Sequence, residues 1–177
     1  MAKAMIRQQR KTKAAHSRRC TAALLATFLA FFSCSSIDCP VEHTVRTVYA
    51  FYTADLQADT LKDTLFIVSH RTNGSDTTLL NGGIKLTAFQ LPIGYANPED
   101  TLFFRFRKNG QWVTDTLWLK KENIPHFESV DCSASFFHEL TAVRATRHAI
   151  DSVTINDHSV TYDPNTEHIR LFLSHRH

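Results

Sequence analysis

Two tryptophans and two arginines carry the ligand-binding chemistry most easily read from this sequence. Asn109-Gly110 separates Asp100–Lys108 from Gln111–Lys120, and both residues tolerate the positive φ angles of a type I′ hairpin turn. A two-residue turn there pairs Arg107 with Trp112, Arg105 with Thr114, Phe103 with Thr116 and Thr101 with Trp118, all on one face. That face suits an aromatic platform for a sugar ring, or a cation–π stack of Arg107 on Trp112. The alternative is that Trp112 and Trp118 only finish the core at its two ends. The opposite face holds Leu102, Phe104, Phe106, Val113 and Leu117 and reads as core, but it also holds Asp115. An ionised carboxylate is costly in a dry interior, so Asp115 puts the register or the choice of faces in question.

Other chemistries lack their residues. Nine of the ten histidines are scattered from His43 to His177 without an H-E-x-x-H pattern, and no Cys/His spacing resembles a zinc site. No G-x-S-x-G elbow marks a nucleophile, the five glycines form no phosphate-cradling loop, and acidic calcium loops are missing. The reading is therefore of a non-enzymatic protein, with no catalytic residue, metal or cofactor assigned.

The elements that must position the aromatic face are short strands. Thr44–Tyr52, Asp63–His70, Thr77–Leu80 and Ile84–Leu91 are rich in β-branched and aromatic residues, divided by Asn73-Gly74 and Asn81-Gly82-Gly83. Beyond the central hairpin, Phe136–Thr146, Ala149–Ile155, Ser159–Tyr162 and Ile169–Ser174 follow, separated by Asn156-Asp157 and Asp163-Pro164-Asn165. Strands with turns every 8 to 12 residues and almost no helix predict an all-β antiparallel sandwich, immunoglobulin-like, of about eight strands.

Charge changes sign along the chain. Residues 1–33 hold seven cations and no acid, so 13 basic residues face 17 acidic ones in the remaining 144, a net charge of −4. A basic overall balance thus gives no support to nucleic-acid binding by the folded domain. Thr21–Ser33 is an uncharged, mostly apolar run that follows the cations; at thirteen residues it is shorter than the roughly 20 a membrane span needs, and it reads as a signal peptide. The expected organisation is a signal peptide at 1–33, a tether at 34–43 and one β domain at 44–177.

Phe31-Phe32-Ser33-Cys34 resembles a lipobox, which implies cleavage before Cys34 and a lipid on its thiol. A plain secretory signal, leaving Cys34 an ordinary thiol, is the alternative. With Cys20 removed and Cys34 acylated, Cys39 and Cys132 remain, and in an exported chain they predict a disulfide. Closing a loop of about 90 residues contributes roughly 4–5 kcal/mol in the chain-entropy account. Two free buried thiols are the competing reading.

Asp followed by Thr or Ser recurs at Thr60, Thr64, Thr77, Thr101, Thr116 and Ser152. Structurally, Asp ends a turn and the next residues open a strand; the pattern also resembles the O-glycosylation sequon of exported Bacteroidetes proteins. The runs C-S-S-I-D-C-P at Cys34, H-F-E-S-V-D-C-S-A-S-F-F-H around Cys132 and H-A-I-D-S-V at His148 resemble a family of small uncharacterised Bacteroidetes lipoproteins. That resemblance implies export, a membrane anchor through the lipid on Cys34 and a β architecture. The anchor, the β pattern and the missing catalytic motifs together predict a binding or scaffolding module of the cell envelope, with an envelope protein or a glycan as partner. It supplies no catalytic residue. Surface-exported lipoproteins of that group carry an acidic run after the lipidated cysteine, and here only Asp38 is close, which favours a periplasm-facing anchor in the outer membrane.

Overall fold

A period-two alternation of apolar and polar residues, interrupted by turn residues, organises the chain into strands. In the computed structural model, residues 45–70, 74–127, 129, 132 and 135–174 are described. The leader, the tether, Cys34 and Cys39 lie outside the described residues. Ten strands form: β1 (Arg46–Tyr52), β2 (Thr64–His70), β3 (Asp76–Gly83), β4 (Ala88–Pro92), β5 (Glu99–Lys108), β6 (Gln111–His126), β7 (Ser135–Ala145), β8 (Ile150–Ile155), β9 (Ser159–Val160) and β10 (Ile169–Leu173).

They build two sheets, a six-stranded one in the order β3-β2-β5-β6-β7-β9 and a four-stranded one in the order β4-β1-β10-β8. The expected all-β sandwich is thus observed, with two corrections. Among the described residues the strands number ten rather than about eight, one for each of the ten segments picked out by composition. The sandwich is also not wholly antiparallel: β1 and β10 run parallel, Tyr49 opposite Ile169 and Phe51 opposite Leu171. Parallel neighbours need a long crossover, and here almost the whole chain supplies it by passing through the other sheet.

The two sheets meet through aromatic rings. Tyr49 on β1 stacks on Phe89 of β4 with centroids 5.2 Å apart, and both approach Phe104 of β5 at 6.2 Å. Leu65, Ile67, Leu117, Leu119, Leu140, Ile169 and Leu171 fill the space around them.

The central hairpin has the expected register. Arg107 pairs with Trp112, Arg105 with Thr114, Phe103 with Thr116 and Thr101 with Trp118, and Asn109 and Gly110 both have positive φ. The expected turn at Asn81-Gly82-Gly83 and strand over Ile84–Leu91 are corrected. Residues 81–83 end β3, where pairing with β2 shifts register, and the chain leaves for the other sheet before β4 begins at Ala88. Gly82 has φ +75°, a region side chains rarely enter, and a Cβ at Gly83 would lie 2.5 Å from Leu86.

Asp115 is fully buried on the core face, beside Leu102, Phe104, Phe106 and Leu117, so the expected faces hold. Its Oδ1 accepts from Thr146 Oγ1 at 2.6 Å and from the His148 backbone at 2.9 Å, while Oδ2 accepts from the Ala149 and Ile150 backbones at 2.7 and 2.8 Å. His148 Nδ1 adds a contact at 2.9 Å. Burial raises the pKa of this carboxyl, but the bonds from Thr146, Ile150, Ala149 and His148 outweigh it, and the net displacement is downward. The carboxylate therefore holds the corner where the chain passes from β7 in one sheet to β8 in the other.

Two buried histidines are held neutral. His138 lies 2.9 Å from Asn123 Oδ1, and Asn123 Nδ2 donates to Tyr95 O at 2.7 Å, which makes His138 Nδ1 the donor. Burial, and then the Lys121 charge, push its pKa down to about 4. Lys121 is itself buried and paired with Asp100 at 2.8 Å. His168 Nδ1 accepts from the Val48 backbone at 3.0 Å and Nε2 faces Ser159 O at 3.2 Å, while burial lowers its pKa.

Asp115→Ala strands the donors of the β7–β8 corner, each costing about 1–3 kcal/mol. The expected loss is roughly 4 kcal/mol, read as a lower urea midpoint at unchanged slope. For His138 and His168 the unfolded chain binds protons that the fold refuses, so stability is full above about pH 6.5 and falls as pH drops toward 4. At about 1.4 kcal/mol per pKa unit, His138 alone accounts for roughly 3 kcal/mol of that loss. Urea melts of His138→Gln at pH 7 and pH 4.5 should show a shallower pH dependence than the native chain.

Candidate functional site

The outer face of the six-stranded sheet is built by side chains pointing away from the core on β2, β5, β6 and β7. Strand pairing places Phe66 of β2 beside Arg105, and Arg105 beside Thr114. Trp112 therefore lies next to Arg107 directly and to Arg105 diagonally.

Around Trp112 these groups converge. The Arg105 guanidinium is 5.0 Å from the ring centroid, that of Arg107 is 5.7 Å away, and the Phe66 ring is tilted against it at 5.2 Å. Trp112 remains 47% exposed. Among the described residues, no carboxylate forms an ion pair with Arg105 or Arg107. The tryptophan is thus a half-open aromatic surface flanked by two cations whose hydrogen-bonding forks are free to take an anion.

Trp118 is different. The Arg144 guanidinium lies 3.9 Å over its ring and is tied to Glu99 Oε1 at 3.1 Å. One ring face is covered, and it lies six positions from Trp112, roughly 20 Å along the strand. The structure therefore brings Arg107 and Trp112 together and leaves Trp118 apart. It adds Phe66, which the sequence did not place there, and sets Arg105, expected on that face, diagonally beside Trp112. Neither tryptophan finishes the core, because both project from the opposite side of the sheet.

The Asp-Thr/Ser sites are dispersed. Thr60 is exposed in the loop after β1, its backbone bonded to Asp59 Oδ1 at 2.7 Å. Thr64, Thr77, Thr101, Thr116 and Ser152 are half-buried within strands, and Asp115 of the fifth site serves the β7–β8 corner.

Residues 69–173 match the family of unknown function DUF6452. The chain belongs to the DUF6452 family. The matched span runs from the end of β2 to the end of β10 and so includes the Asp115 corner and the Trp112 hairpin. No curated protein and no solved structure matches the chain.

Elsewhere on this DUF6452 domain, a groove of about 490 Å³ is lined by residues including Tyr52, Lys62, Asp63, Asp151 and Phe172, with no histidine. A more open one of about 520 Å³ includes His70 and Asp100; His70 pairs with Asp76, and Asp100 with Lys121. Among the described residues no group of three His, Cys, Asp or Glu side chains is arranged to hold a metal ion. Asp115 does orient the exposed His148, but the same carboxylate also binds the backbone of Ala149 and Ile150, so its first role is to fix the corner.

Iodide should quench the two tryptophans unequally. Trp112, open and flanked by cations, is expected to supply the readily quenched emission, which Trp112→Phe removes; Arg144→Ala should make Trp118 more accessible. Stern–Volmer plots of the three proteins check this.

Proposed function

We propose that this chain is a lipid-anchored cell-envelope protein, non-enzymatic, whose sandwich binds a glycan at the Trp112 face. The observation that carries the binding half is the exposed indole of Trp112 between Arg105 and Arg107, whose guanidinium groups lie 5.0 and 5.7 Å from its centroid. A sugar ring presents C–H groups to an indole face, and a guanidinium fork holds a carboxylate or phosphate in bidentate fashion. A sugar carrying an acidic group uses both.

The anchor half rests on the leader, the lipobox-like Phe31-Phe32-Ser33-Cys34 and the resemblance to Bacteroidetes lipoproteins. Cys132 is disulfide-bonded; pairing with Cys39 agrees with an oxidising compartment. The periplasmic face of the outer membrane is the proposed address. Of the six Asp-Thr/Ser sites, Thr60 has the exposure that a glycan acceptor needs.

Intact mass of the membrane-fraction protein tests the anchor. A chain starting at Cys34 and carrying acyl groups is expected, with Cys39 and Cys132 alkylated only after reduction; an unprocessed chain with free thiols contradicts it. Retention on immobilised envelope polysaccharide tests the site. Trp112→Ala should lose at least about tenfold in affinity, in keeping with stacking worth 1–3 kcal/mol, while Trp118→Ala changes little. Equal retention by all three proteins contradicts the site.

A further inference from the structure

Six large hydrophobic side chains are strongly exposed, and they fall at the two ends of the sandwich. Leu56, Ile84 and Trp112 are at the end bearing the β5–β6 turn; Tyr95 (65% exposed), Ile124 (48%) and Phe127 (64%) are at the other. Exposure does not distinguish the two ends, but covalent attachment does.

The chain enters β1 at Arg46, which pairs with Pro92, three residues before Tyr95. The loop carrying Tyr95 is fastened to β6 by Asn123 Nδ2 on Tyr95 O at 2.7 Å and Lys121 Nζ on Asn97 O at 3.1 Å, and the Tyr95 ring stacks on Phe136 of β7 at 5.0 Å. Cys132 lies in the connection between β6 and β7, five residues past Phe127. It is disulfide-bonded, and the other cysteines, Cys20, Cys34 and Cys39, all precede Arg46. The described chain therefore enters the domain at the end that exposes Tyr95, Ile124 and Phe127, and Cys132 lies in a connection at the same end. Only four residues separate Cys34 from Cys39, a reach of at most roughly 18 Å.

We infer that Tyr95, Ile124 and Phe127 form a membrane-docking tip, which seats in the interfacial region of the bilayer that holds the Cys34 lipid and stands the sandwich on end. This inference rests on the anchor reading above. Tyrosine suits the headgroup level, and isoleucine and phenylalanine the acyl boundary. The charged neighbours are mixed, Arg46 and Lys120 against Glu99, Glu122 and Glu139, with Glu128 next to Phe127 in the sequence, so apolar insertion and not lipid charge holds the tip. The arrangement points the opposite end outward: Trp112 lies twelve residues along β6 from Ile124, about 40 Å of strand, and is presented away from the membrane.

The mature lipidated chain in phosphatidylcholine vesicles, with acyl-brominated phosphatidylcholine as quencher, tests this. The native chain, with Trp112 distal and Trp118 midway, should be quenched little. In Phe127→Trp the added indole should lose most of its emission, and in Leu56→Trp, at the far end, the added indole should keep it. Vesicle-bound protein with Phe127→Trp unquenched, or with Leu56→Trp quenched as strongly, overturns the docking tip while leaving the anchor intact. Protein that carries no acyl mass and stays off the vesicles overturns the anchor and the tip together.

Discussion

A carboxylate without solvent contact in the middle of a core strand persists only when its lone pairs are filled, because an uncompensated buried charge costs more than a domain of this size holds in reserve. Asp115 meets that condition at one place, the corner between β7 and β8. Thr146, His148, Ala149 and Ile150 converge on its two oxygens, and the chain that leaves this corner supplies β8 and β10. β10 pairs with β1, and β1 carries β4, so the four-stranded sheet is hung from a point fixed by one side chain of the other sheet. The stack of Tyr49, Phe89 and Phe104 then closes the interior. A hydrophobic residue at position 115 would suit the alternation of β6 equally well, but it would leave the corner without its acceptor.

The same strand that buries Asp115 displays Trp112 and Trp118 on its other side, and their different surroundings come from the strands beside them. β7 brings Arg144 over Trp118, and Glu99 across the sheet holds that arginine in place. Near Trp112 the neighbours are Arg105, Arg107 and Phe66 on β5 and β2, and no acidic side chain among the described residues pairs with those arginines. The sheet therefore offers one aromatic surface with its cations uncommitted, set on a domain whose net charge is negative. Local positive potential of this kind selects an anionic ligand more by specificity than by bulk attraction.

Much of this was readable from residues 99–120, because Asn109-Gly110 fixes a register and the register fixes both faces. Asp115 was readable as a misfit but not as a corner, since its partners lie more than 30 residues away and nothing in the local pattern announces them. Lys121 and His138 escaped for the same reason. Their burial depends on β6 continuing past Lys120 and on Asp100 at the start of β5 and Asn97 in the loop before it reaching that lysine. The exchange of sheets between β3 and β4 was hidden because Gly82 and Gly83 signal a turn as readily as a bulged strand end. Cys34 and Cys39 lie outside the described residues, so the anchor stands on the leader pattern and on the cysteine arithmetic.

The central claim is that Trp112, with Arg105 and Arg107, is the surface on which this family domain meets its ligand. The indole N–H resonances of the two tryptophans, followed by ¹⁵N NMR while an acidic polysaccharide is added, test it most directly. The resonance that disappears in Trp112→Phe should move and saturate, while that of Trp118 stays nearly fixed and a neutral polysaccharide moves both far less. If neither resonance moves, or Trp118 alone does, the surface around Trp112 is not the binding site.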